Sequence, residues 1–581
     1  VDGTIALTTN STGAATIVND AGLNFATTTV GGALTATATT GDITDSGTLT
    51  ITGASIFKTA ATGSNIVLDS ANNAFSAAVT MIADAGGETF GNITFVDSAA
   101  IDFATSASSN GDLYINAATD GAVGGNLSVT ATTGNITDTV ALAVTGTSSF
   151  TTSASNGTIT LNTSTNALTG AVTLSTTGSS GNATIDNGTT ALNIAASTVG
   201  GNLTVTSGDS ITDSGVITVS GTASFTTDTS DKLITLNSQN AITGQVTFDT
   251  TSTGGDVTLD NGTTAISLGT IASGAIGGDL TLLTDADQTI SNAITLGGSG
   301  AELSITVDNA NSLTVQAALT TNAGAITLSA DDDVIFTAAG DLTTANGNIT
   351  VSADDDATSD AESGGALTMV DGTVFNSSSG TITASADEDI TIGQMTTTSS
   401  STSAIMLSSV SSNILDGDTD GSNDLTAASG TVYIADAELF GSASNALEVS
   451  ASSTNTSGLT VVTVTSTADT TMSGSTETIG DASVGQTVSI SSGMDKSVSK
   501  TILTPSGTAS KNVSQSINTG SAGPGPIVVD LFSESFELIT MEGGSPDLAS
   551  SIEKMDNVWS GESTAPANTS NGQKSSTEEE D

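Results

Sequence analysis

The chain has no cysteine, no histidine and no arginine, and its 581 residues carry only seven basic side chains against 61 acidic ones. Without cysteine there is neither a disulfide framework nor a thiolate metal site. Without histidine as well, there is no imidazole base and no thiolate nucleophile, and without arginine no guanidinium can clamp a carboxylate or phosphate. The net charge of −54 argues against nucleic acid or an anionic membrane surface as a direct partner, since both are bound by basic groups that displace counterions. Divalent cations or high salt are the more natural companions. Aromatic residues make up only 3% and charged residues 12%, about half the usual ~25%, so the surface must be built largely from Ser, Thr, Asn and Gly. No signal peptide is evident, and no apolar run reaches the ~18 residues that a membrane-spanning helix needs.

What is present is repetition. Residues 124–174, beginning GGNLSVTATTGNITDT, recur at 200–248 as GGNLTVTSGDSITDS, and less faithfully from Gly31 and Gly277. The Gly-Gly pairs thus start at Gly31, Gly124, Gly200 and Gly277, a fixed period with one lengthened first step, as a stacked solenoid leaves in its sequence. Within each unit apolar residues alternate with Thr, Ser or Asn, as in Leu127/Val129, Leu142/Val144, Ile159/Leu161 and Val172/Leu174. That is the period of a strand with one buried face. Each run is four or five residues long and ends in Gly, Asn, Asp or Ser, which turn the chain tightly.

Dividing the period, roughly 76 residues, into four steps predicts coils of ~19 residues stacked strand upon strand, hence an all-β, right-handed parallel β-helix, the hand following the general preference for right-handed crossovers. The expected organisation is a β-helical shaft over 1–470, a Ser/Thr-rich β extension over 471–522, and a Gly/Pro linker over 523–526. A small non-helical carboxy-terminal capping or assembly segment over 527–562 and a disordered acidic tail over 563–581 follow. At ~19 residues per coil the shaft would hold roughly 25 coils and extend on the order of 120 Å. Residues 13–32 match 181–201, so the first coil is expected to expose a strand edge unless a preceding segment or another molecule covers it. Leu548, Ile552, Met555 and Trp559 have helical spacing, and Ile527–Met541 is the most apolar stretch, read as a cap for the shaft or a strand donated to a neighbour.

Four sets of residues stand out chemically. Asp416, Asp418, Asp420 and Asp424, with Gly421 where a loop would turn, place oxygen ligands at alternate positions as a calcium loop does, although Ala427 stands where the twelfth-position Glu would fall. The same residues also make a solvated acidic turn. The corners Asp331–Asp333, Asp354–Asp356 and Asp387–Asp389 are expected to stack, either bridged by cations or simply hydrated. Asn73, Asn166 and Asn240 recur at one corner and predict an asparagine ladder. The sequons at Asn126 and Asn202 are expected to be accidents of composition.

The GxITLSA-type strands with acidic corners, together with the short coil and the Gly/Thr/Asn/Val/Leu composition, resemble the β-helical shafts of filamentous-haemagglutinin-like exoproteins of two-partner secretion, over roughly residues 1–470. The resemblance implies a secreted, extracellular or cell-surface role as the shaft of a bacterial adhesin or filament, not an enzyme. The implied partners are other copies of itself or cell-surface components, including carbohydrate or a host surface. The alternatives are a calcium-dependent surface-layer or biofilm matrix protein and a polysaccharide-active β-helical enzyme working by paired carboxylates.

Overall fold

The computed structural model describes residues 3–455, except 84–90, 105–111, 116–121, 252–253, 355–364, 419–421 and 442–446, together with the backbone of the strands Val461–Thr465, Thr487–Ile490, Lys496–Leu503, Ser510–Ile517 and Ile527–Asp530. Every regular element among the described residues is a strand, and the strands of the shaft pair in parallel to form a β-solenoid of about 18 turns. The Ser/Thr-rich runs around 404 and 430 continue it, with Ile405 paired to Val432. The predicted helical segment and Trp559 lie outside the described residues.

One turn consists of three short strands joined by tight corners. Leu127–Ala131, Ile136–Asp138 and Ala143–Val144 follow one another, and the next turn lays Ser148 over Leu127, Ile159 over Ile136 and Ala167 over Ala143. Alternation then decides what is inside: Leu127, Val129 and Ala131 are buried while Ser128 and Thr130 between them are not. Repeated at every coil, this gives one continuous apolar column along the axis. Phenylalanine fills it at intervals, in edge-on contact for Phe25–Phe57, Phe57–Phe75 and Phe103–Phe150 at 6.0–6.3 Å. Each buried Leu, Ile or Phe contributes about 1.5–3 kcal/mol relative to exposure, the main favourable term in a chain with so little charge pairing.

The coil is longer than expected at most levels. The expected length is realised where Ala15 pairs with Leu34, and one more residue is taken up between Leu203 and Ala223. The turn is longer again, and constant, through Ile211, Ile234, Val257, Leu280, Leu303, Ile326 and Ile349. The sequence repeat is therefore not four coils. Leu203 stacks through Ala183 and Ile159 onto Ile136, three coils below, and Ile136 lies one face beyond Leu127. Likewise Leu280 stacks through Val257 and Ile234 onto Ile211, one face beyond Leu203. Each repeat spans three coils and one face, so matching strands turn to a new side of the prism in successive copies. The lengthened first repeat obeys the same rule: Leu127 stacks through Ile93 and Ile66 onto Ile43, one face beyond Leu34. Some of its extra residues form the strand Asp112–Ile115, which slips in between Val79–Ile82 and Ile101–Phe103 on the neighbouring face. Fewer, longer coils shorten the rod to on the order of 90 Å at ~4.8 Å per turn, against the roughly 120 Å expected.

Amides and carboxylates tie one corner to the next, although not in the predicted ladder. Asn73, Asn166 and Asn240 belong to different repeats and do not stack on each other. The Oδ1 of each accepts an N–H from the preceding coil, from Leu49, Leu142 and Ile217 at 2.7–2.8 Å. Their Nδ2 atoms donate to Asp45, Asp138 and Asp213, the Asp of the recurrent Ile-Thr-Asp strand, at 2.6–2.8 Å. That Asp also receives two N–H groups of the next turn, such as Asn162 and Thr163 on Asp138. An asparagine ladder does exist, at the exposed corner where Asn126 stands: Asn65 accepts from Asn92 N, Asn92 from Asn126 N, and Asn126 from Thr147 N. The side chain of the Asn126 sequon is thus engaged in the ladder, and that of Asn202 in a second one, where Asn182 accepts from Asn202 N and Asn202 from Thr222 N.

Asp97 does with a carboxylate what Asn73, Asn166 and Asn240 do with an amide, accepting Phe75 N at 3.1 Å while only 2% exposed. Burial raises its pKa, opposed by the N–H groups of Phe75, Ser98 and Ala99. A carboxyl whose folded pKa lies above its unfolded value binds its proton more tightly when folded, so it withdraws stability as pH rises above the unfolded value. Asp97→Asn is therefore expected to be at least as stable as the parent at pH 7, with an advantage that shrinks towards pH 4. Urea midpoints at the two pH values measure this, and a variant weaker than the parent at pH 7 contradicts it.

Candidate metal centre

At the late end of the shaft, strand Asn413–Asp416 is followed in the chain by strand Leu425–Asp436, and strand Leu447–Asn455 lies on the latter one coil further on. Asp424 is fixed from three directions. Its N–H donates to Glu448 O at 2.9 Å, its carbonyl accepts Met395 N at 2.6 Å, and its Oδ2 accepts Glu448 N at 2.6 Å. The strand pairing that seats Leu425 over Met395 and Val449 over Leu425 sets the two backbone bonds.

The consequence is a crowd of carboxylates. Oxygen atoms of Asp416, Asp424 and Glu448 lie within 4.8 Å of one another, and among the described residues this is the one group of its kind. Asp424 is 1% exposed, and its Oδ1 is buried with no hydrogen-bond partner. Burial pushes its pKa up to about 9, opposed by the Glu448 N–H and reinforced by the charges of Asp416, Glu448 and Asp418. Burial likewise raises Glu448, opposed by its hydrogen bond with Asp424 and reinforced by the charges of Asp416 and Asp418. Three acidic groups so placed need a shared proton or a cation, and an all-carboxylate set of hard oxygens suits calcium, magnesium or manganese and no thiophilic metal.

Of the predicted ligands, the fold brings Asp416 and Asp424 together. Asp418 is close enough to act on both Asp424 and Glu448, and its N–H donates to Asp416 Oδ1 at 2.8 Å. Asp420 lies outside the described residues. Glu448 is not among the predicted ligands, because it comes from the next coil; the signal available is its place about one coil length after Asp424, in the strand Leu-Glu-Val.

The other acidic corners are arranged differently. Asp331 Oδ2 accepts Asn309 N, Asp333 Oδ1 accepts Ala366 N, and Asp389 Oδ1 accepts Asn413 N, so these carboxylates bind the backbone of a neighbouring coil. Asp332 and Asp389 also accept the hydroxyls of Ser312 and Ser412. Asp355 and Asp356 lie outside the described residues.

Fold and corners define a repeat protein of the parallel β-helical class. Residues 12–82, 90–175 and 180–249, together less than half of the chain, match a family model described as repeats of unknown function (DUF5649). The matched stretches begin just before the strands Ala15–Asn19, Ile93–Asp97 and Ala183–Asp186, which are again separated by three coils and one face. No curated protein and no solved structure matches the chain.

Proposed function

We propose that the chain is the shaft of a secreted bacterial surface protein, an adhesin or extracellular filament of the filamentous-haemagglutinin-like kind, whose task is mechanical and not catalytic. The observation that carries this reading is the unbroken apolar column, clad on its outer faces in Ser, Thr, Asn and acidic side chains: a structure that grows lengthwise and holds whatever it bears at a distance. Its partners would be further copies of itself or cell-surface components, carbohydrate included. A calcium-dependent surface-layer or matrix component is the second reading, favoured by the carboxylates gathered at Asp416, Asp424 and Glu448.

Immunogold labelling of intact source cells against permeabilised ones tests the location. The expected label lies on intact cells or in their shed matrix, and label seen only after permeabilisation overturns the reading. Electron microscopy of the purified chain should show rods on the order of 90 Å in the shaft. Rods joined end to end favour the filament, and a planar lattice assembled only with calcium favours the surface layer.

A further inference from the structure

We propose that Asp416, Asp424 and Glu448 bind one hard divalent cation of the calcium class between two successive coils, so that the ion clasps the late shaft together. The argument begins with Asp424 Oδ1. Its partner oxygen is satisfied by Glu448 N, yet Oδ1 is shut away from water with no donor. A buried carboxylate oxygen without a partner is costly, whereas a cation in contact with it and with the neighbouring carboxylates of Asp416 and Glu448 removes the cost.

The fold also preorganises the pair that must come together. Asp424 and Glu448 are locked in register by reciprocal bonds, Asp424 N to Glu448 O and Glu448 N to Asp424 Oδ2, which do not depend on the ion. Calcium accepts irregular sets of six to eight oxygens, including water, whereas magnesium demands a near-ideal octahedron, so three carboxylates from two coils suit calcium better. This differs from a loop site of alternating aspartates in one decisive respect: Glu448 is a ligand and belongs to another coil. It is independent of where the protein resides.

The experiment uses the full chain in buffer containing sodium chloride, titrated calorimetrically with calcium chloride and separately with magnesium chloride, and melted with each salt. The parent is expected to show one saturable calcium site, and at one hundred times Kd the folded-to-unfolded ratio of the binding segment should rise about 100-fold. Glu448→Gln should lose the site, and Asp389→Asn, in a corner that binds backbone, should keep it. Asp424→Asn should also lose it while melting at or above the parent in calcium-free buffer, because an amide avoids the cost of burying an ionisable carboxyl; this shows that the variant is folded. A Glu448→Gln chain that titrates like the parent overturns the proposal in favour of a loop site. Sodium chloride of matched ionic strength reproducing the whole calcium shift overturns it in favour of screening. Absence of calcium heat in the parent overturns it in favour of a proton shared between Asp424 and Glu448.

Discussion

Gly347→Ala should be among the most damaging single-methyl changes in the shaft. The glycines of GAITLSA, GNITVSA and GTITASA, Gly324, Gly347 and Gly380, stand directly above one another at one corner. A Cβ on Gly347 would meet Gly324 O at 2.0 Å and Gly324 C at 2.4 Å. The obstacle is backbone, so no rotamer change relieves it, and the coils are held at fixed spacing by Ile326 N to Asn348 O and Ile349 N to Thr381 O, both 2.9 Å. Accommodating the methyl means parting the coils and losing hydrogen bonds, a cost of about 3 kcal/mol or more. Hydrogen exchange should reveal lost protection around the strands Ile326–Ala330, Ile349–Ala353 and Ile382–Ala386. Gly3→Ala, with nothing within 4 Å of the added carbon, is the neutral control. Equal protection in the Gly347 variant and the parent would show that the corner can yield.

Phe375→Ala is expected to lower stability by about 3–5 kcal/mol, through lost transfer free energy and the cavity left behind. Phe375 and Phe336, both fully buried and on successive coils, meet edge to face with ring centres 4.8 Å apart and planes at 71°, which adds about 0.5–1.5 kcal/mol to the area term. Coupling in a solenoid is between neighbours, so the damage should stay near its own coils. The double variant Phe336→Ala with Phe375→Ala should therefore depart from additivity, whereas Phe375→Ala with Phe150→Ala, in a distant pair with Phe103, should add within about 0.5 kcal/mol. Urea unfolding followed by hydrogen exchange measures both. Strong coupling between the distant pair would contradict nearest-neighbour coupling along the rod.

Much of this molecule is legible because its information is local. Alternation at Leu127, Val129 and Ala131 names the buried side of a strand without reference to anything else, and glycine at 324, 347 and 380 marks corners whatever lies above them. The same locality places Asn73 and Asn166 at corners. It does not supply their partners, because Asp45 and Asp138 lie more than a full turn earlier in the chain and a coil below in space.

The sequence by itself determined the strand class, the inward face of each strand and the glycine corners, because a two-residue period and a missing Cβ act over a few bonds. Only the tertiary structure decided how many residues close a turn, and with that the three-coils-and-one-face repeat, the true asparagine ladder and the meeting of Glu448 with Asp416 and Asp424. The physical reason is that closure is set by backbone hydrogen bonds between successive coils: a turn can be as short as Ala15 to Leu34 or as long as Ile93 to Leu127, provided the next strand lands in register. Loop length is elastic and register is not, so side chains far apart in the chain are brought together by the ladder.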